Sequence, residues 1–491
     1  MVLRLAEWSP AGEAPTVYDV TDPTTWDQFV DDYAYRSGSR PLRRVFEIAR
    51  SHGVVCVVKE PRYIDADWRS QLARFYNGAF RRYPSVCHRL HFFTRPVDAS
   101  VNDLSNMQDA YRGYAIVRPL PIAPLGRTMI APPPELADAV RCEGVEEVDL
   151  YGWPLTIRAM PFISQDTQLL RCAHAALWMV LRHGTLVHDL PKHLPSEIYE
   201  AALGGVVAGR QLPSDGLSPY QLLSAMSVLG LCPTGKGLPQ TKSDELAAAE
   251  LRIYGIVCRY INSRLPPIII SRNHAWVMVA YKRVASGGNS MIQLWRHDDV
   301  RGPYLPVDDP WDEPEAAHKP WLTAYLPLLP KAYLDAERAE ALGRVWFEGF
   351  RVSPLMPGST VEVADSRPAQ EDHATLRTYL VESNRLKQGL LSRGVPQELT
   401  EALRRASMSK FVWVIEVVDR LERAAGRPDV LGEFILDATS TQFEPSTDPA
   451  AILAFHLDET AFITGVDGAE NTLITVPKGV RYRTGCPPLL S

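Results

Sequence analysis

A thiol at the first turn of a helix is the feature of this chain best placed to do chemistry. In SQDTQLLRCAHAALWMVLRHG (Ser164 to Gly184), apolar residues from Ala173 fall at 173, 176, 177, 180 and 181. That spacing predicts a helix with one buried face, and Gly184 is read as its C-terminal stop. Cys172 then stands at the helix N-terminus. Unpaired N–H groups and the positive end of the helix dipole there favour a thiolate over a thiol. Taken alone, a free cysteine in such a place is more often a small core residue.

A base for that thiol comes from a second segment. RLPPIIISRNHAWVMVAYKR (Arg264–Arg283) predicts two short strands, IIIS and HAWVMVAY, the second led by His274. VASGGNS is read as a loop, and MIQLW (291–295) as a third strand that ends in RHDDVRG. An antiparallel hairpin with Tyr281 opposite Met291 puts His274 opposite Asp298, with Asp299 beside it. A carboxylate that fixes an imidazole, and an imidazole that takes and returns a proton, are what a thiol nucleophile needs.

In combination the two segments resemble the papain-like bacteriocin-leader peptidases, which form the peptidase domain of certain ABC transporters and have stand-alone relatives. That family carries a Gln, then CGPAALxMVLxxxG, then a Pro-rich strand leading to HxVVVxGY, then a strand ending in NDPxxG. The pieces here are CAHAALWMVLRHG, LPPIIISRNHAWVMVAY and HDDVRG, in the same order. DGLSPYQLLSAMSVLG (Asp215–Gly230) is similar to the family's intermediate helix, with Ser218 as N-cap and Pro219 at the first helical position. The resemblance covers roughly residues 150–310. It implies a cysteine peptidase site with Cys172 as nucleophile, His274 as general base and acid, and Asp298 as the orienting carboxylate, with Asp299 as its runner-up. The oxyanion hole would join the Cys172 N–H to a glutamine amide. The family's glutamine lies six residues before the cysteine, where this chain has Asp166. Gln165 is preferred and Gln168 is the alternative. The family's Gly-Pro after the cysteine is Ala173-His174 here, with His174 read as a substrate contact or a solvated first-turn residue.

Around this centre the chain reads as α+β in three regions. Residues 1–125 hold a strand in GVVCVV (Gly53–Val58). They also hold a helix over WRSQLARFYNGAF, capped by Asp65 or Asp67, with Trp68, Leu72, Phe75 and Phe80 on its apolar stripe. Residues 126–330 form the papain-like domain. Residues 331–491 open with helices, one over TLRTYLVESNRLKQGLL that Gly394 stops, and end in strands at 411–418, 433–438, 451–457 and 472–476. Proline-dense stretches, Pro119–Pro134 and Pro303–Pro330, suit connectors. The flanks imply control, with one of them covering or shaping the cleft.

Composition narrows the rest. The 491 residues are 46% hydrophobic and 22% charged, as in a globular protein rather than a disordered one. A net charge of −6 argues against a dedicated nucleic-acid binder. Seven widely spaced cysteines with no CxxC read as free thiols in a reducing, cytoplasmic setting. Neither a signal peptide nor a membrane span is evident. His174, His183, His188 and His193 share no helical face, and His88 and His91 in CHRLH, read on a helix, are a packed or solvated pair, so no metal site is expected. Phosphate-loop, dinucleotide and serine-elbow motifs are absent, and no cofactor is expected. The expected function is hydrolysis of a peptide or protein through a Cys–His–Asp thiolate and an acyl-enzyme. The flanks could bind a protein partner. The alternatives are a thiol acyltransferase or amidase using the same Cys–His pair, and a non-enzymatic binding scaffold.

Overall fold

The chain, as a computed structural model, is α+β, with 34% of residues helical and 35% in strands. The structure describes residues 15–485 except 36–37, 99–103, 167, 204–215, 238–244, 272–273, 287–288, 308–322, 353–373, 425–426, 442–451, 458 and 466–470. It forms two compact units. One comprises Met1–Leu251 with Arg264–Pro327; the other comprises Arg252–Ser263 with Leu328–Ser491.

The first unit begins with an antiparallel sheet in the order β1 (Thr16–Asp19), β2 (Cys56–Tyr63), β3 (Cys87–Phe93), β4 (Tyr111–Val117), β5 (Leu125–Ile130). Between its strands run α1 (Pro23–Val30), α2 (Arg40–Ser51) and α3 (Ala66–Arg74). Asp65 is the cap of α3, its carboxylate accepting from the Trp68 N–H. Trp68 and Leu72 are buried, but the chain leaves the helix after Arg74 and Phe80 is fully exposed. CHRLH lies in the strand β3 and not on a helix, with every residue buried. Strand β5 ends at Ile130, so the first proline-dense stretch contains a strand as well as a connector. Pro303, Pro306 and Pro327 of the second stretch also lie in strands, and Pro310, Pro314 and Pro320 lie outside the described residues.

A short strand β6 (Val140–Arg141) and the hairpin β7 (Gly144–Leu150) and β8 (Trp153–Ala159) follow. The hairpin alternates buried and exposed residues, and its Leu150 and Leu155 share one core with Trp68, Phe93 and Tyr114 of the first sheet.

Helix α4 (Cys172–His188) comes next, then α5 (Pro195–Leu203) and α6 (Pro219–Val228). Ser218 caps α6 in a reciprocal capping box with Gln221. The helix α4 continues past Gly184, which is buried within it; a Cβ there would stand 2.7 Å from the Leu190 side chain. Close packing explains that glycine, and Asp189, at φ 54°, ends the helix instead.

The second sheet runs β13 (Gly302–Val307), β12 (Asn289–Asp298), β11 (Ala275–Ser286), β10 (Ile268–Ile270), β14 (Thr323–Leu328), β9 (Cys232–Gly237), with β6 also paired to β11. Strands β11 and β12 extend through most of the expected loop, to Ser286 opposite Asn289. Their register therefore differs from the expected one, with Tyr281 opposite Leu294 rather than Met291.

The second unit takes the end of α7 (Glu245–Asn262), then α8 (Ala336–Val352), β15 (Ala374–Glu382), α9 (Ser383–Arg393) and α10 (Gln397–Arg405). Its sheet continues from β15 through β16 (Phe411–Asp419), β17 (Val430–Asp437), β18 (Ile452–Leu457), β19 (Thr460–Ile463) and β20 (Thr472–Thr475). The expected helix over TLRTYLV is the strand β15, paired residue for residue with β16. Only the part after Glu382 is helical, and Gly394 ends it at φ 79°.

Candidate active site

The N-terminus of α4 is built to leave its amides unclaimed. Arg171 occupies the N-cap in extended backbone and makes no side-chain cap bond, so the first-turn N–H groups have no capping oxygen. The loop before it is held from within. The buried Asp166 carboxylate accepts from the N–H groups of Gln168, Leu169 and Leu170 through one oxygen. Beneath it the buried Arg118 donates to the carbonyls of Ala123, Leu125 and Ser164 and, through its other nitrogen, to Gln71. Asp166 stands where the resemblance would place a glutamine, and an acceptor of three amides organises the loop. A residue that bonds its own following backbone, as aspartate readily does, was the sequence signal for this role.

From behind, α4 is fixed by burial and by charge. Trp178, Leu177 and Leu181 are almost fully buried, each stabilising by about 1.5–3 kcal/mol. The Trp178 indole donates to Asp67 at 3.2 Å and Arg182 meets Glu146 at 3.0 Å. Burial, reinforced by the charge of Asp65, pushes the Asp67 carboxyl up to about 6. His174 is not solvated: it is buried against the Tyr199 ring, and burial lowers it to about 4.

His274 leads β11, its carbonyl accepting from Ser271 N–H at 2.9 Å. Its Nδ1 stands 3.1 Å from Cys172 Sγ, and its Nε2 stands 3.0 Å from Asp298 Oδ2. Asp299 Oδ1 is farther from Nε2, at 4.0 Å. Val277 faces His297, so Trp276, one residue back, stands across from Asp298, and His274 reaches the carboxylate diagonally. Residues two apart on a strand share a face, so this shift from the expected register keeps His274 and Asp298 on one side of the sheet.

Asp298 is held in its turn. Its other oxygen accepts from the N–H groups of Val300 and Arg301, both at 3.0 Å. Arg296 lies 3.7 Å from Oδ2 and over the Trp276 ring. The turn then passes Gly302 at φ 133°, where a Cβ would stand 2.6 Å from the Cβ of Arg44 on α2. Arg44 donates to the carbonyls of Pro303 and Tyr304. An N-terminal helix thus grips the segment that follows both carboxylates.

Gln165 is half-buried in the loop before α4 and, among the described residues, makes no hydrogen bond to Cys172 or His274. Gln168 contributes its N–H to the Asp166 turn. Asp299, named in the sequence only as a runner-up, lies close to the sulfur: Cys172, His274 and Asp299 each offer an atom within 4.8 Å of the others.

Electrostatics favour a charged ring. Burial opposes a proton on His274, but the hydrogen bonds with Asp298 and Cys172 outweigh it and raise the ring to about 11. Burial would raise Asp298, yet its contacts with His274 hold it below the usual carboxylate range. Burial also pushes the Cys172 thiol up, while His274 pulls it down and Asp299 works with burial. Asp299 itself is pushed up to about 7, first by burial and also by the charge of Asp298. Their mutual contact raises the ring and lowers the thiol, the direction that favours a thiolate facing an imidazolium. Asp298→Asn should therefore lower the His274 titration by several units, read from its ring proton by NMR. An unmoved midpoint would show that Asp298 is not the group that sustains the imidazolium.

Among the described residues no helix is long and apolar enough to cross a membrane. No protein-family model matches this chain, and no curated protein matches it.

Proposed function

We propose that this protein is a papain-like thiol hydrolase that cleaves a peptide or protein in the cytoplasm. The observation that carries the reading is the line Cys172 Sγ, His274 Nδ1, His274 Nε2, Asp298 Oδ2, with spacings of 3.1 and 3.0 Å on either side of one ring. The Cys172 thiolate adds to the scissile carbonyl. The oxyanion that forms takes up the uncapped N–H groups of the first turn of α4, which need no reorganisation to receive it. His274, charged by the sulfur's proton, gives that proton to the leaving amine. It then accepts one from the water that attacks the thioester, and Cys172 is released as product leaves. Asp298 holds the ring's other nitrogen through both transfers, as does the orienting carboxylate of other triads. Positioned proton transfer of this kind contributes about 10²–10⁴-fold in rate.

Acylation tests the reading. The full chain treated with an activated ester should acquire one acyl group on Cys172, lost on incubation in water and absent in Cys172→Ala. An added amine that captures the acyl group more readily than water does would make the protein an acyltransferase. An unacylated Cys172 under conditions that modify a free thiol would make the fold a binding scaffold, with the flanks as its partner surfaces.

A further inference from the structure

The carboxylate of Asp299 has no use in the reaction just described, and its place is unusual for a bystander. Its side chain is only 1% exposed, and neither oxygen has a hydrogen-bond partner among the described residues. Burying an ionisable carboxyl with no donor is costly unless something charged meets it. It shares its space with a sulfur and a ring nitrogen, all three ligand atoms lying within 4.8 Å of one another.

We infer that Cys172, His274 and Asp299 form a reversible Zn²⁺ site that silences the thiol. The donor set is one thiolate, one imidazole and one carboxylate, which suits a borderline-soft divalent ion. Mg²⁺ and Ca²⁺ prefer oxygens throughout. Zinc bonds of about 2.0–2.3 Å in tetrahedral array place ligand atoms roughly 3–4 Å apart, within the spread found here. The ring is already oriented for it. Nδ1 stands 3.1 Å from the sulfur, and Nε2 is engaged by Asp298 at 3.0 Å with Asp299 Oδ1 4.0 Å away, so a carboxylate steadies the ring from the side opposite the thiol, as one does behind a metal-bound histidine. Arg296 and the amides of Val300 and Arg301 hold that carboxylate in place. Three protein donors leave a fourth position for water. On binding, the proton held between Sγ and Nδ1 and any proton on Asp299 pass to solvent. The metal then occupies the electron pair with which sulfur would attack a carbonyl. The site itself stands on this geometry; its inhibitory meaning rests on the proposed thiol chemistry.

The test uses the full chain, freed of metal by a chelator and kept reduced. Co²⁺ should bind one to one and give a thiolate-to-cobalt charge-transfer band, which Zn²⁺ abolishes as it displaces Co²⁺. Zn²⁺ should also protect Cys172 from iodoacetamide, as mapped by peptide mass spectrometry. Asp299→Asn, close in size and shape, should weaken Zn²⁺ binding at least 10-fold, and Cys172→Ser should remove the band. The inference is overturned by the absence of saturable binding at micromolar metal. A band that survives Cys172→Ser overturns it too, because the ligand is then another cysteine, as does unchanged affinity in Asp299→Asn. Failure of the thiol-hydrolase reading looks different: the cobalt band appears, but Cys172 is never acylated in the metal-free protein.

Discussion

His274→Ala is expected to lower hydrolysis by about 10²–10⁴-fold and to slow iodoacetamide labelling of Cys172 at neutral pH by about 10²-fold. The direction follows from the charges around the sulfur. Burial raises the Cys172 thiol, and among the nearby groups it is the His274 ring that opposes this, while Asp299 adds to it. Removing the ring leaves a buried thiol beside the Asp299 carboxyl, so its titration moves further up. Less thiolate is then present at pH 7, and labelling recovers only as the pH rises past the ordinary thiol range, near 8.5. An alanine at 274 also deprives the leaving amine of its proton, so hydrolysis falls further than labelling does. The check is a pair of pH–rate profiles, wild type and variant, for both reactions. Superimposable labelling profiles would mean that Cys172 is an ordinary thiol that happens to lie beside a histidine.

The second large effect belongs to the other unit and to stability. Arg393 closes α9 and is 2% exposed; it meets Glu416 at 3.1 Å and Glu433 at 2.7 Å and donates to the Arg483 carbonyl. The Tyr379 and Thr484 hydroxyls and the Gly485 N–H also donate to Glu416. Arg393→Ala leaves two buried carboxylates without their cation and should destabilise by about 3–5 kcal/mol, read as a fall in the urea midpoint. The pH dependence separates this cause from lost packing. Burial already raises Glu433 even with Arg393 present, and without it the shift grows. A carboxyl raised by folding contributes stability at low pH and loses it as pH rises through its folded value. The deficit of the variant should therefore be larger at pH 8 than at pH 5.5. A deficit equal at both would assign the loss to the missing side-chain volume.

How far these residues could be read in advance depended on the range of the forces that place them. The helix of Cys172 was legible because a 3.6-residue period runs through its apolar positions, and the chain's own turn then carries the thiol to the N-terminus. The cap at Ser218 and the stop at Gly394 were legible for similar local reasons. Strand register was not. One extra residue, Val279, sits between the pairs Met278–Arg296 and Ala280–Trp295, and nothing in HAWVMVAY marks a bulge. The His274–Asp298 contact survived because the displacement at that end kept both residues on the same face. TLRTYLV satisfies helical and alternating patterns together, and the neighbouring strand Phe411–Asp419 decided between them. The place of Asp299 required knowing which sulfur it faces, which is information held only in three dimensions.

The grip of Arg44 on the segment beginning at Gly302 makes those two positions a single heritable unit. A methyl group at 302 would meet the Cβ of residue 44, which every residue but glycine carries, in a backbone conformation that side chains rarely adopt, and a smaller residue 44 releases the carbonyls that steady the chain just beyond the acids. Lineages descending from this protein would have to keep the glycine and, with it, a long donor side chain at 44.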